Sequence, residues 1–320
     1  MTHFERLLAS GAPWIADGGL ETVMIFDEGL ELPSFASFTL LDSAAGRAAL
    51  ARYFSRFAAL ARSAGTGFVL DTPTWRAGAS WGLVLGLDAA RMRQINLEAV
   101  RFGHNTRATL ERDGLDIVLN GVIGPSGDGY VLAHALTGKQ AQARHQVQID
   151  ALAEGGVDLV TAMTMTHSGE AIGVARAAKA AGLPVVVSFT VETDGRLPSR
   201  ETLADAIGAT DDSTGNAPAF YMINCAHPTH FIDKLHGDWV ARIGGVRANA
   251  SRRSHAELDE ATELDAGDPH EFGMLYRDLG ALLPNLRVIG GCCGSDHRHV
   301  RAAAGHFQEA GAQRLRNWLP

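Results

Sequence analysis

The chain has 320 residues, of which 46% are hydrophobic and 20% charged, and a net charge of −8. This composition excludes a disordered, collagen-like or coiled-coil chain. The lone pair Arg252-Arg253 offers no basic face for nucleic acid. No apolar run approaches the ~18 residues of a membrane helix, and residues 1–10 lack the order of a signal peptide. A cytoplasmic enzyme with no membrane or nucleic-acid partner is therefore expected.

In chain order, short apolar runs alternate with longer helical patterns. Trp14-Ile15-Ala16 leads into Asp17-Gly18-Gly19. The pattern Leu50, Tyr53, Phe54, Phe57, Leu60, Ala61 predicts a helix. A strand at Gly67–Leu70 ends at Asp71, and Met92, Ile95, Ala99 and Phe102 mark the next helix. Strands follow at Asp116–Leu119, ending at Asn120-Gly121, and at Val157–Thr161. Ala171, Val174, Ala175 and Ala178 form a small-residue helical stripe, stopped by Gly182-Leu183-Pro184. Further strands are expected at Pro184–Phe189, Ala219–Asn224, Val240–Val246 and Leu286–Ile289. Thr210–Pro218 reads as a surface turn, and Ala256–Leu264 as a helix in an acidic loop spanning 248–273.

The strand runs are apolar throughout, as strands buried on both faces require. Eight of them with helices between predict an α/β fold, a single (β/α)8 TIM barrel domain over residues 1–320. A doubly wound sheet would call for G-x-G-x-x-G after the first strand, and Asp17 to Thr22 is not that.

The three cysteines are an odd number with two adjacent, which does not suit a disulfide framework. Cys225 ends strand six and Cys292-Cys293 follow strand eight, so all three fall on the C-terminal rim, where barrel active sites lie. Glycines at 290, 291 and 294 allow the sharp turn that two neighbouring ligands need. Three thiolates with a fourth position open describe a catalytic zinc site. His227, His230, His297 and His299 are expected to be surface or supporting groups, with Ser295 as the N-cap of the last helix.

The sequence resembles the homocysteine S-methyltransferase family, which includes S-methylmethionine- and betaine-dependent enzymes. Asp17-Gly18-Gly19-Leu20 resembles its opening DGG motif, and Gly121 to Gly127 (GVIGPSG) its G-S-I-G-P segment. Ser188-Phe189-Thr190 is similar to its SFT. Asn224-Cys225 with Pro228 is similar to N-C-x-x-P, and Gly290 to Gly294 is its GGCCG. The resemblance implies the same (β/α)8 fold, zinc on Cys225, Cys292 and Cys293, and an acceptor thiol as the fourth ligand. It also implies substrate contacts at Asp17 and Gly18 and a rim-fixing role for Asn224. The reaction implied is methyl transfer from a sulfonium or quaternary ammonium donor to homocysteine, giving methionine. Trp75, Trp81 and Phe35 are the aromatic side chains placed to face the donor's cation.

Two departures stand out. Met163 lies where the family has the glutamate that binds the homocysteine ammonium, and a thioether cannot offset the desolvation of that charge. Strand two ends Asp71-Thr72-Pro73-Thr74-Trp75 in place of T-N-T-Y. Either Asp71, Glu21 or Glu192 supplies the missing charge, or the acceptor is another small thiol or selenol. Met163→Glu is expected to tighten homocysteine binding if the pocket is otherwise intact. Readings outside this class are a barrel that binds zinc or thiols without catalysis, and a module using methylcobalamin. The chain ends at Leu319-Pro320 with no further domain, so the latter would need a separate corrinoid protein. The sequence assigns no oligomeric state.

Overall fold

The computed structural model describes residues 1–316, with side chains described through Phe307; Leu319 and Pro320 lie outside the described residues. Eight parallel strands close into a barrel in chain order. They are β1 (Trp14–Ile15), β2 (Phe68–Asp71), β3 (Ile117–Ile123), β4 (Leu159–Met165), β5 (Val185–Phe189), β6 (Pro218–Asn224), β7 (Ile243–Ala248) and β8 (Val288–Gly291). β8 pairs with β1 through Trp14 opposite Val288 and Ile15 opposite Ile289, which completes the closure. Their side chains are buried almost without exception, since one face fills the barrel and the other meets helices.

The helices cover the outer face as their apolar spacing requires. Ala44–Ala64 starts at Ser43, whose side chain accepts the Gly46 amide, and stops at Gly65 in the left-handed conformation. It buries Leu50, Tyr53, Phe54 and Phe57, and the leucine and phenylalanine side chains each contribute about 1.5–3 kcal/mol by leaving water. Ser168–Ala180 presents Ala171, Val174, Ala175 and Ala178 inward, fully buried. Among the described residues, no helix is long and apolar enough to cross a membrane.

Several boundaries differ from the sequence expectation. β3 continues through Asn120-Gly121 to Ile123, because Gly121 leaves room for Leu152 and Val160 against the strand. β4 continues to Met165 through an irregularity between Ala162 and Met165. The expected turn over Thr210–Pro218 is instead the end of helix Leu203–Thr214, closed by left-handed Gly215, with Pro218 already opening β6. β7 starts at Ile243, because Asp238–Arg242 forms a 3-10 turn. The helix expected over Ala256–Leu264 is only His255–Asp259. Ser254 and Glu257 cap its start, while Asp259, Glu260 and Glu263 place negative charge where the helix dipole disfavours it.

Candidate metal and substrate site

Cys225 follows β6 directly, and Cys292-Cys293 follow β8. Their Sγ atoms all lie within 4.8 Å of one another, with those of Cys225 and Cys293 3.5 Å apart. Cys225 has φ 55°, a left-handed conformation that costs a non-glycine residue on the order of 1–3 kcal/mol. Its carbonyl is locked in place by the Asn249 side-chain amide at 3.1 Å, the Thr190 hydroxyl at 3.3 Å and His255 Nε2 at 2.6 Å. At the other cysteines, a Cβ on Gly291 would run into the Ser295 side chain. Gly294 takes φ 76°. Ser295 Oγ donates to the Cys292 carbonyl at 2.7 Å. The amide of Arg298 is accepted instead by Asp296, so Ser295 tightens the cysteine turn and Asp296 holds the start of the last helix.

Hydrogen bonds from Cys225 and Cys293, together with the Arg247 cation, hold the Cys292 thiol well below its ordinary range. Contact with Cys292 and Cys293, with burial adding to it, pushes Cys225 up. Sulfurs at ~2.3 Å from a tetrahedral zinc sit roughly 3.8 Å apart, so this spacing and the all-sulfur donor set suit zinc. Among the described residues this is the one cluster of three or more potential metal ligands. No imidazole belongs to it. His227 turns to Thr229, and burial holds it down at about 4. His230 reaches the Arg252 carbonyl, and His299 is buried between Asp296 and the Ala266 carbonyl.

Asn224 stands behind the cluster. Its side-chain oxygen accepts the Thr164 amide at 3.0 Å and the Ser188 hydroxyl at 2.6 Å, and its nitrogen donates to Thr164 Oγ1 at 2.8 Å and faces Cys292 Sγ at 3.9 Å. Both ends of the amide therefore clasp Thr164, which has φ 62°, an outlier for a β-branched residue. This pinned irregularity in β4 sets Met163 and Thr164 into the cavity wall.

Asp71 is not a free rim acid. Arg247 of β7 reaches across the barrel mouth, bonding Asp17 after β1 with one nitrogen and Asp71 with another, and its Nε donates to the Gly291 carbonyl at 3.2 Å. Asp71 also accepts from Asn120 at 2.7 Å, and Asn120 from Thr161 at 2.8 Å. Burial pushes the Asp17 carboxyl up to about 8, with Arg247 opposing and Asp71 adding to the rise. Glu192 is likewise taken, by His255 at 3.1 Å.

A cavity of about 590 Å³ opens over the cysteines. Its walls include Asp17 and Gly18 from the β1 turn, and the segment from Leu258 to Asp265 leans over it. Glu21 also lines it. The Ser37 hydroxyl bonds Glu21 at 2.8 Å, burial raises its carboxyl, and Cys292 is among its charged neighbours. Phe26 and Phe35, 45% and 42% exposed, stand at the mouth. The tryptophans differ from expectation. The Arg76 guanidinium lies 3.5 Å from the Trp81 ring centre and 4.6 Å from that of Trp75, and Trp81 does not reach the cavity. Their faces carry the protein's own cation.

Tyr130, which no sequence motif marked, places its hydroxyl 3.0 Å from Cys225 Sγ and 3.4 Å from Cys293 Sγ. Its ring stacks on His255 with centres 3.9 Å apart. Only its place a few residues beyond GVIGPSG could have suggested it.

The sequence matches the family model described as homocysteine S-methyltransferase over residues 14–307. The chain belongs to the homocysteine S-methyltransferase family. Among solved structures, the homocysteine methyltransferase MmuM from Escherichia coli in its oxidized form is 20% identical. That likeness covers 95% of this chain and 99% of that one at a TM-score of 0.75. The metallated form of the same protein gives 0.73 at 20% identity over the same shares of the two chains. A methyltransferase from Methanosarcina mazei is more distant, at 10% identity and 0.51 over 97% of this chain and 98% of that one. At such identities these likenesses show the shared fold. No curated protein sequence matches. Membership of the homocysteine S-methyltransferase family makes the protein a thiol methyltransferase, and its three-sulfur cluster sits at the rim where such a barrel works.

Proposed function

We propose that the protein is a zinc-dependent S-methyltransferase that moves a methyl group from a sulfonium or quaternary ammonium donor to homocysteine, giving methionine. The observation carrying this reading is the trio of sulfurs opening on a cavity that also holds Glu21. Held by Cys225, Cys292 and Cys293, zinc would supply the Lewis acidity that keeps an acceptor thiol ionised at neutral pH. That the Escherichia coli relative is described in a metallated form supports a metal-dependent reading.

The chain's own residues do the rest. Asn224 and the Cys225 carbonyl contacts keep the sulfurs in position, so little reorganisation is needed on substrate entry. Glu21 forms no ion pair among the described residues and receives the acceptor's ammonium in place of a residue at 163. Asp17 and Asp71 are engaged by Arg247, and Asp128, Asp259 and Glu263 are exposed. Phe35, as expected from the sequence, and Phe26 offer aromatic faces to the donor's cation in place of the two tryptophans. The thiol proton leaves to solvent as the thiolate forms. The sulfur pair then makes the new S–CH3 bond while the donor's C–S or C–N bond breaks, and a neutral thioether or amine departs. In the same reading residues 1–320 form one catalytic domain working in the cytoplasm, where three free thiols stay reduced.

Acceptor kinetics test this assignment. Glu21→Gln raises the KM for homocysteine by about 10- to 100-fold, the span of a charge-assisted hydrogen bond. It leaves 4-mercaptobutanoate, which has no ammonium, unaffected. Met163→Glu added to Glu21→Gln restores much of the loss by moving the carboxylate along the cavity wall. On its own, beside an intact Glu21, it gives little gain. An unchanged homocysteine KM in Glu21→Gln would direct the search to another thiol or selenol. Absence of transfer to any thiol would leave a non-catalytic barrel, and transfer only from methylcobalamin would change the donor class.

A further inference from the structure

Among the described residues Arg76 is a half-buried cation without a counter-ion. It follows β2 on the loop that carries Trp75, is partly buried, and lines the same cavity as Glu21 and the cysteines. Its Nε is buried with no hydrogen-bond partner, and neither terminal nitrogen bonds a protein acceptor among the described residues. The other half-buried or buried arginines each bond a protein acceptor, a backbone carbonyl for Arg176 and Arg287. Arg247 binds Asp17 and Asp71, Arg242 binds Asp211, and Arg107 binds Asp158.

Acids do lie near Arg76, namely Asp128, Glu21 and Asp259. None pairs with it. Asp128 accepts the Tyr130 and Val131 amides instead, at 2.8 and 3.0 Å. The guanidinium is held over the Trp81 and Trp75 rings, which anchors it while leaving its terminal N–H groups without protein acceptors. A rigid planar fork of this kind matches a carboxylate, which can take two parallel N–H bonds. Glu21, which lines the same cavity, also lacks an ion-pair partner among the described residues, and its charged neighbours include Cys292.

We propose that Arg76 binds the carboxylate of the acceptor, so that Arg76 and Glu21 together clamp an α-amino acid by its two charged ends while its thiol reaches the cysteine cluster. This rests on the methyltransferase reading above and adds to it the residue that selects an amino acid over a simple thiol. The donor's cation is kept away from Arg76 by like charge and enters on the side of Phe26 and Phe35.

The test compares acceptors that differ by one group, using the zinc-loaded protein and its Arg76→Gln and Arg76→Lys variants. Homocysteine carries both charged ends, and 3-mercaptopropylamine is the same thiol without the carboxylate. Arg76→Gln is expected to raise the KM for homocysteine, and its calorimetric Kd, by about tenfold or more. It should leave the KM for 3-mercaptopropylamine and for the donor within about twofold, while Arg76→Lys recovers part of the homocysteine loss. Equal losses for both acceptors would make Arg76 a support for the tryptophan loop and overturn the proposal. So would a loss confined to the donor KM, which would assign the carboxylate to the donor, and so would no loss at all. Wild-type protein that binds homocysteine but transfers no methyl would remove the transferase reading while leaving the clamp measurable by calorimetry. Wild-type transfer with an unchanged Arg76→Gln variant would remove only the clamp.

Discussion

Cys225→Ser is expected to lose its metal and its methyl transfer together while keeping its fold. Cys225 is the cluster member whose backbone is most constrained, with a left-handed φ of 55° and a carbonyl held by three side chains. A serine there keeps those backbone contacts but offers a harder, shorter-reaching oxygen that does not suit a soft-ligand site. Loss of an outer hydrogen-bond partner costs a metal site about 10–100-fold, so loss of a direct ligand should exceed ~100-fold in turnover. Metal content per chain should fall in parallel. Metal analysis and a methyl-transfer assay on the same preparation check this, with circular dichroism confirming the barrel. A serine variant that keeps both metal and turnover would remove Cys225 from the donor set.

The largest effect on stability is expected from Arg247→Met. This arginine spans the barrel mouth between Asp17, Asp71 and the Gly291 carbonyl. Removing it strands two buried carboxylates, and breaking a buried pair from one side costs about 3–5 kcal/mol. The pH dependence has a defined sign. Asp17 is already pushed up to about 8 by burial, against roughly 3.9 in an unfolded chain. The folded state therefore binds a proton that the unfolded state has released between those values, and stability falls as pH rises across that window. Without the guanidinium the Asp17 carboxyl rises further, so the variant keeps losing stability above about pH 8, where wild type has levelled off, and its deficit against wild type should widen as pH rises beyond that point. Urea unfolding at a series of pH values measures it, and a deficit independent of pH would contradict the charge-network account.

The closed barrel and the meeting of Cys225 with Cys292-Cys293 were legible in the sequence because both depend on local signals. Continuous apolar runs mark doubly buried strands, and a residue right after such a run must lie on the rim. What the sequence hides is the partner of each charge. Asp71 read as a free rim acid because its counter-ion, Arg247, is 176 residues away and sits in an apolar strand pattern. Trp75 and Trp81 read as open aromatic faces because nothing in residues 71–81 tells that Arg76 folds back over them. Tyr130 enters the site from a loop, where side-chain direction follows no period. The strand ends were misread for a related reason. Gly121 looked like a stop, yet it is the residue that lets Leu152 and Val160 pack against a continuing strand. At Thr164 the left-handed backbone depends on Asn224, 60 residues further along the chain.

The central claim is that the three sulfurs hold zinc and that homocysteine reacts through its sulfur at that ion. Zinc K-edge X-ray absorption on the purified protein, with and without homocysteine, tests it most directly. The account predicts three sulfur neighbours per zinc, rising to four when homocysteine is added. A shell that stays at three with saturating homocysteine, or protein that holds no zinc after metal-replete expression, would contradict it.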